Sequence, residues 1–531
     1  MKKLTLLLLL SMISVSMTFA QKVSKEESKN YAKAGIENSY WYDKSTGDWI
    51  IGFTSEGIIY DTKIWNIVRK TNKKDKYEFT ISNPATGELQ KIKVGKLKKG
   101  ERTITLKDKQ SINCMPITTK SLPAYPNKDT RTGLRDTGYH VGDSVTLVGL
   151  VKNMPDRISK IKHIKDIPEK IFKDINCLDI SYFDFISDNE QHIYAKMDSL
   201  GRFSIKFPLL NSSQVFLSWG ATLTSSVMEP GETYFFLFDT KTDQKLFMGK
   251  NCRIQNELIA NPHLWSNISG RETKDAMKFL AMTDSVRNIS MEELKATVVA
   301  NPNISQRYID YLTGYYRYTQ ATDMMQGRFY FRELPKQYMD FVYNKLWKNP
   351  IKPYTLYREF SFFTVDYIDQ LITEHENNVS YSTKDMILQL EKKGLVTLNE
   401  NEKKIIDSYL SGYNKTLKLI KSAKTDDEKT AIVKEFNSEE TVKNMQPIFE
   451  KVIKPLTDNA ILSSLTKKKE ILDSIRCDKT LNDLLLARNF YKKVNSDRTP
   501  LDSVSLDFSQ RNIELTYAKN RIKELNDKYQ S

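Results

Sequence analysis

The stretch His192-Ile193-Tyr194-Ala195-Lys196-Met197-Asp198-Ser199-Leu200-Gly201-Arg202-Phe203-Ser204-Ile205-Lys206-Phe207 decides the fold. His192 to Lys196 and Phe203 to Phe207 have the look of short half-buried strands, with polar and apolar residues interleaved. Between them, Asp198-Ser199-Leu200-Gly201 supplies turn chemistry, because Asp bonds nearby backbone and Gly accepts positive φ. A β-hairpin is the expectation. Outward from it, Val145 to Val151, Ile180 to Ile186, Val215 to Trp219 and Tyr234 to Phe238 are further β-rich runs. Short strands at roughly ten-residue spacing predict a β-sandwich over residues 141–255. The basic stretch Lys152 to Lys173 interrupts it without a structural assignment.

Toward the N-terminus the texture is also β. Trp49 to Phe53 and Gly57 to Tyr60 are β-rich runs, Lys76 to Ile81 alternates, and Asn83-Pro84-Ala85-Thr86-Gly87 reads as a turn. Lys91 to Val94 and Arg102 to Leu106 alternate again, so residues 21–115 are expected to form a small antiparallel β-domain. Residues 116–140, with Pro116, Pro123, Pro126, Gly133 and Gly138, read as a linker.

Beyond Asn251 the apolar spacing turns helical. Helices are expected at Glu272 to Val286, Ser290 to Val299, Ser305 to Tyr318, Leu334 to Trp347, Tyr357 to His375, Ser382 to Lys393 and Glu400 to Ala423. They continue at Lys443 to Thr457, Ala460 to Arg476, Leu481 to Val494 and Val504 to Lys528. Ser290 with Glu293 has capping-box spacing, and Asp426-Asp427 suits the positive end of a helix dipole. The fold class is therefore α+β and multidomain: an N-terminal β-domain, a β-sandwich module, then a mostly α-helical region over residues 256–531.

The first twenty residues bear on location. Lys2 and Lys3 precede an apolar core from Leu4 to Val15, and Thr18-Phe19-Ala20 ends in small residues. This predicts a signal peptide over residues 1–20, cleaved after Ala20, since the apolar run is shorter than the ~20 residues of a span. Export to the periplasm or the extracellular space follows. No membrane span is expected after cleavage. The formal charge is +15, and loss of Lys2 and Lys3 leaves +13. The excess is spread among acids, as in Lys467-Lys468-Lys469, which reads as a solvated surface and not as a nucleic-acid patch.

Three turn signatures carry a family resemblance. Met197-Asp198-Ser199-Leu200-Gly201-Arg202-Phe203-Ser204 resembles a "D-x-x-G-x-F" hairpin. Val227-Met228-Glu229-Pro230-Gly231-Glu232-Thr233-Tyr234 resembles an "E-P-G-D/E" turn before a strand. Met248-Gly249-Lys250-Asn251 followed by Asn256-Glu257-Leu258 resembles a "G-S-x-x-N-x-x-L" exit into a helix. In this order they are similar to the N-terminal domain-of-unknown-function module found before TlpA-like thioredoxin domains in secreted Bacteroidetes proteins. The resemblance covers about 140 to 260 closely. It implies a redox setting, in which a Trp-Cys-x-x-Cys would follow on a thioredoxin fold.

That dithiol chemistry needs two thiols in one helix turn, where the helix N-terminus lowers a thiol pKa. Here Cys114, Cys177, Cys252 and Cys477 stand far apart, and Cys477 has neither a partner nor a preceding Trp. No catalytic residue carries over from the resemblance. The expectation is an exported accessory or substrate-binding protein related to TlpA-like thiol-disulfide oxidoreductases, or a truncated or split form of one. An activity of its own is not expected. A separate thioredoxin-like domain or another periplasmic protein is the implied partner. Long-range disulfides, such as one between Cys114 and Cys177, and buried thiols are both open readings.

Other chemistries lack their signals. His140, His163, His192, His263 and His375 stand singly, without the spacing that sets metal ligands on one helix face. There is no Gly-x-Ser-x-Gly elbow, phosphate loop or dinucleotide fingerprint, so neither a metal nor a cofactor is expected. The densest aromatic feature is Tyr308, Tyr311, Tyr315, Tyr316 and Tyr318. Tyr308, Tyr311 and Tyr315 share a helix face and form a candidate ligand face for a peptide or glycan. Core packing is the competing reading of the same spacing. It also competes for Tyr40-Trp41-Tyr42, Trp49 and Trp65, whose rings suit a ligand-holding barrel or sandwich.

Overall fold

A computed structural model describes residues 35–55, 57–107, 110–118, 125–154, 177–220, 222–262, 265, 273–376 and 383–530. The expected signal peptide and most of the basic stretch up to Lys173 lie outside the described residues. The chain forms two compact units, Met1–Phe363 and Thr364–Ser531.

The first unit opens with eight antiparallel strands that close into a barrel. They are β1 (Ser39–Asp43), β2 (Trp49–Phe53), β3 (Ile58–Tyr60), β4 (Lys63–Lys73), β5 (Lys76–Ser82), β6 (Leu89–Val94), β7 (Arg102–Thr105) and β8 (Ser111–Ile117). Closure comes from β8 pairing on β1, with Tyr40 opposite Ile117. Eight strands leave an interior that side chains can fill. Trp41, Ile51, Phe53, Trp65, Phe79 and Ile92 fill it, so Trp41 and Trp65 are core. Strand β4 gave little sequence signal because its residues from Asn66 to Lys73 are exposed on both faces.

The sandwich has two four-stranded sheets. One runs β11-β10-β13-β14 and the other β12-β9-β15-β16. The strands are β9 (Ser144–Lys152), β10 (Cys177–Asp184), β11 (Asn189–Lys196), β12 (Arg202–Pro208), β13 (Ser213–Trp219), β14 (Thr222–Met228), β15 (Thr233–Asp239) and β16 (Gln244–Met248). The expected hairpin needs correction, since β11 and β12 belong to different sheets. The turn is tight, with Gly201 at φ 79° and Asp198 Oδ1 accepting from Leu200 and Arg202 N–H at 2.9 Å each. Past it, β12 pairs along β9 while β11 pairs along β10. Ala195 and Met197 enter the core from one sheet, Phe203 and Phe207 from the other, and all four share one cluster. Strand β14 escaped notice because its buried positions include Thr224 and Ser226, which break the hydrophobic alternation.

Residues 125–140, within the stretch 116–140 expected as a linker, are bonded along the sandwich. Thr137 N–H donates to Asn211 Oδ1 at 3.0 Å, and Arg135 Nη1 donates to the Pro230 carbonyl at 2.7 Å. Helices then complete the unit: α1 (Arg253–Ala260), α2 (Ala276–Ala300), α3 (Gln306–Gln326), α4 (Lys336–Phe341) running on through a π-turn over Val342–Trp347, and the first residues of α5 (Arg358–Glu376). The two helices expected at Glu272 to Val286 and Ser290 to Val299 are one, α2. Asp275 caps it, accepting from Met277 and Lys278 N–H, while Ser290 is a buried mid-helix residue and caps nothing.

The second unit holds the rest of α5, then α6 (Thr383–Lys392), α7 (Glu400–Ser422), α8 (Asp426–Ser438), α9 (Glu440–Ser474), α10 (Lys479–Asp497), α11 (Ser503–Asn512) and α12 (Thr516–Lys528). Asp426 and Asp427 lie in the first turn of α8, below a Thr425–Glu428 capping box. Helix α9 runs unbroken through Pro447 and Pro455, merging two expected helices, with Ile448 and Val452 anchored in the core between them. Conversely, the helix expected over Val504 to Lys528 is split. Buried Asp483 accepts the Glu514 and Leu515 amides at 2.9 and 2.7 Å, fixing the turn that leads into α12.

Candidate functional site

The outer face of the sheet β12-β9-β15-β16 positions the site. Side chains alternate across a sheet, so Tyr234, Phe236 and Phe238 enter the sandwich core while Phe235 and Leu237 point outward. The barrel covers part of that outer face. Tyr40, Tyr42, Trp49, Ile59 and Ile64 of the barrel pack with Leu150, Phe235, Leu237, Leu246 and Met248. Trp49 meets Phe235 edge-on at 5.9 Å between ring centroids. Tyr40, Tyr42 and Trp49 thus join two β-bodies, and no ligand pocket in the barrel is needed to account for them.

Where the barrel wall curves away, the same face stays uncovered and floors a cleft of about 890 Å³. That size suits a small ligand or a short polymer segment. Thr146, Val148, Arg202, Ser204 and Thr233 come from the sheet, with Lys196, Met197 and Asp198 at its edge. Register brings them together, since Thr233 sits opposite Thr146, and Val148 opposite Ser204. The barrel adds Thr62, Lys63, Ile64 and the Asn83-Pro84-Ala85-Thr86 turn. Thr62 projects there because Asp61 and Thr62 both take positive φ, the type I′ geometry that closes β3 onto β4.

The lining mixes apolar surface, hydroxyls and the ammonium groups of Lys63 and Lys196. Arg202 is tied to Asp198 by a 2.7 Å ion pair. Partial burial alone would raise the Asp198 carboxyl, but the Arg202 amide and guanidinium hold it below the usual range. The arrangement can bind a ligand with aliphatic, hydroxyl-bonding and anionic parts.

No known family model, curated protein or solved structure matches this chain. The motif residues must then be judged by what they touch. Glu229 of the "E-P-G" turn is buried and pairs with Arg307 of α3 at 2.6 Å. Asn256 accepts from Phe247 N–H at 2.9 Å and donates back to its carbonyl at 3.0 Å, imitating a neighbouring strand. Glu257 takes Arg253 at 2.9 Å and the Ser305 amide at 2.9 Å. Two of the three signatures are clamps that hold helices on the sandwich. The Asp198–Phe203 turn lines the cleft most fully, and Thr233 at the end of the "E-P-G" signature joins it.

The expected tyrosine face lies mainly inside. Tyr308 and Tyr311 are 2% and 1% exposed, and only Tyr315 keeps partial exposure. Tyr308 donates its hydroxyl to the Asn261 carbonyl at 3.0 Å, and Tyr311 stacks on Tyr357 at 5.3 Å between centroids. Burial raises the Tyr311 phenol far above its ordinary value and the Tyr315 phenol to about 12. The packing reading of this spacing prevails for Tyr308 and Tyr311.

None of the four cysteines is in a disulfide, which removes the Cys114–Cys177 bridge. Burial pushes the Cys114 and Cys252 thiols up to about 12, and the Cys477 thiol upward too. Such thiols stay protonated at neutral pH and make poor nucleophiles. Sequence reasoning missed the cleft because its floor residues are individually ordinary. The Asp198–Gly201 and Asn83–Thr86 turns that border it were visible, but only as turns.

Proposed function

We propose that this chain is an exported accessory or substrate-binding protein of the kind that accompanies TlpA-like thiol-disulfide oxidoreductases, working without a Cys-x-x-Cys of its own. The cleft carries the reading. It joins apolar floor, hydroxyls and two lysines over about 890 Å³, which suits an extended polypeptide segment of a substrate or partner. The three ordered turn signatures support the kinship, and the signal-peptide pattern of residues 1–20 supports export. The raised thiols support a role in which a separate thioredoxin-like domain supplies electrons.

The test is fluorescence anisotropy with a labelled, permanently unfolded carboxymethylated polypeptide. Thr146→Arg and Ser204→Arg fill the cleft from its floor, and both should weaken binding at least about tenfold, a loss of ~1.4 kcal/mol. Circular dichroism must show both variants folded. Equal affinity in folded variants refutes the assignment of the cleft. Turnover of insulin disulfides by the wild-type chain alone refutes the accessory role.

A further inference from the structure

Strand β12 lies at the rim of its sheet, with β9 on one side and no strand on the other among the described residues. The far end of the sandwich is closed by α1, which packs on β14 and β16. Along an antiparallel pair, successive residues turn their N–H and C=O alternately toward the partner and away from it. Val151 N–H donates to the Gly201 carbonyl at 2.9 Å, and Leu209 N–H donates to the Asp143 carbonyl at 3.1 Å. With Phe203 opposite Gly149 and Ile205 opposite Leu147, the odd-numbered residues of β12 therefore face β9. Arg202, Ser204 and Lys206 turn their backbone groups to the open side.

Arg202 is already served. Its N–H donates to Asp198 Oδ1, and its carbonyl accepts the Asp198 N–H at 3.0 Å. Pro208 has no N–H to offer. Between these two stops, the N–H and C=O of Ser204 and Lys206 have no hydrogen-bond partner among the described residues, and both residues are exposed. Sheets blunt open edges with lysine and proline, and Lys206 and Pro208 leave only a short window here.

The flanking side chains differ on the two faces of that window. On the cleft side, Arg202 and Ser204 line the cleft, so the edge continues its floor. Lys196 and Lys206 stand there exposed and without an ion pair among the described residues. The acids nearby are matched, Asp198 by Arg202 at 2.7 Å and Asp61 by Lys63 at 3.4 Å. On the inner side, Ile193 of β11 and Ile205 of β12 pack on the sandwich core yet stay partly exposed.

We propose that an acidic, extended peptide adds to β12 as a further strand, bonded to the backbone of Ser204 and Lys206. This rests on the cleft's being a polypeptide site and supplies its mode of recognition. Side chains of an added strand alternate between the two faces. Carboxylates on the cleft side then meet Lys196 and Lys206, while apolar side chains on the other cover Ile205 and Ile193.

Fluorescence anisotropy of the full chain with a labelled peptide of alternating valine and glutamate tests this mode. Only one edge of an added strand faces β12. Methylating one alternate set of the peptide's backbone amides should weaken binding at least about tenfold, and methylating the other set should change it less than about threefold. Lys206→Pro deletes an N–H that β9 does not use, at an edge where proline is tolerated. It should bind at least about fivefold more weakly than Lys206→Gln, which keeps the N–H and drops the charge. A valine–lysine peptide should bind more weakly than the valine–glutamate one. Equal responses to the two methylations overturn strand addition, and they decide the matter if Lys206→Pro does not fold. Folded Lys206→Pro matching Lys206→Gln overturns it as well, and a valine–lysine peptide binding as tightly overturns the acidic preference. Should Thr146→Arg abolish binding while the two methylations act alike, the added strand falls and the cleft stands. Absence of valine–glutamate binding also overturns the added strand, and the cleft reading falls with it only if the carboxymethylated polypeptide fails to bind too.

Discussion

Replacing Arg307 by Met should damage the first unit more than any surface change. Arg307 and Glu229 leave only 7% of each side chain exposed and meet at 2.6 Å. Arg307 Nε also donates to the Gly133 carbonyl at 3.0 Å, and Glu229 accepts the Arg135 amide at 3.2 Å. Methionine keeps the bulk and removes the charge, so the Glu229 carboxylate stays buried without its cation. Breaking one side of a buried pair costs about 3–5 kcal/mol. With a urea m-value of about 3 kcal/mol/M, the midpoint should fall by about 1 to 1.7 M. Tryptophan fluorescence is a clean assay, because all six tryptophans (41, 49, 65, 219, 265 and 347) precede the unit boundary at Phe363. The double variant Glu229→Gln, Arg307→Met should recover more than half of the loss, since no charge is then left buried. A midpoint shift below ~0.3 M, well under the loss worked from the buried pair, would refute the reasoning. So would a double variant no more stable than the single one.

Further outcomes follow from the same geometry. Tyr311→Ala should cost about 3–5 kcal/mol of stability in urea, as large aromatic truncations in cores do, because Tyr311 is buried against Tyr357. A near-neutral result would return that ring to the surface. Gly201→Ala should destabilise the first unit by at least about 1 kcal/mol, because a side chain at φ 79° is strained and its Cβ would collide with the Val151 carbonyl. Burial raises the Asp323 carboxyl from 3.8 to about 6, despite the hydrogen bond from Trp265. The folded state therefore holds that proton more tightly than the unfolded chain, and this contribution, present below pH 4, is lost as pH rises through 6. Asp323→Asn should raise the melting temperature at pH 7 and have no such effect near pH 4; a flat difference across that range counts against it. Cys114 and Cys252, held near 12, expose a thiolate fraction on the order of 10⁻⁴ at pH 8. Neither should react with Ellman's reagent until the chain is unfolded, and rapid native labelling at either site would contradict their burial.

Local chemistry alone determined much of this protein. The strands at Trp49 to Phe53 and Tyr234 to Phe238 were legible because alternation and β-branched or aromatic content act within a few residues. The helical second half was legible for the same reason, through its apolar period. The Asp198–Gly201 turn was also readable, because an Asp acceptor and a positive-φ Gly are local requirements. Which strands that turn joins was not readable, since the partner of β12 is β9, some fifty residues away, and pairing is chosen by the shared core. Ser290 and Glu293 have the spacing of a cap, but packing of α2 carried the helix straight through them. The tyrosines of α3 show the same limit, because spacing places Tyr308, Tyr311 and Tyr315 on one face and says nothing of what covers it. Only the tertiary structure put Tyr308 and Tyr311 in the core, set the Asn83–Thr86 turn across from Thr146 and Ser204, and made β12 the edge of its sheet. Sites of that kind form between residues distant in sequence, where no local period or motif records their meeting.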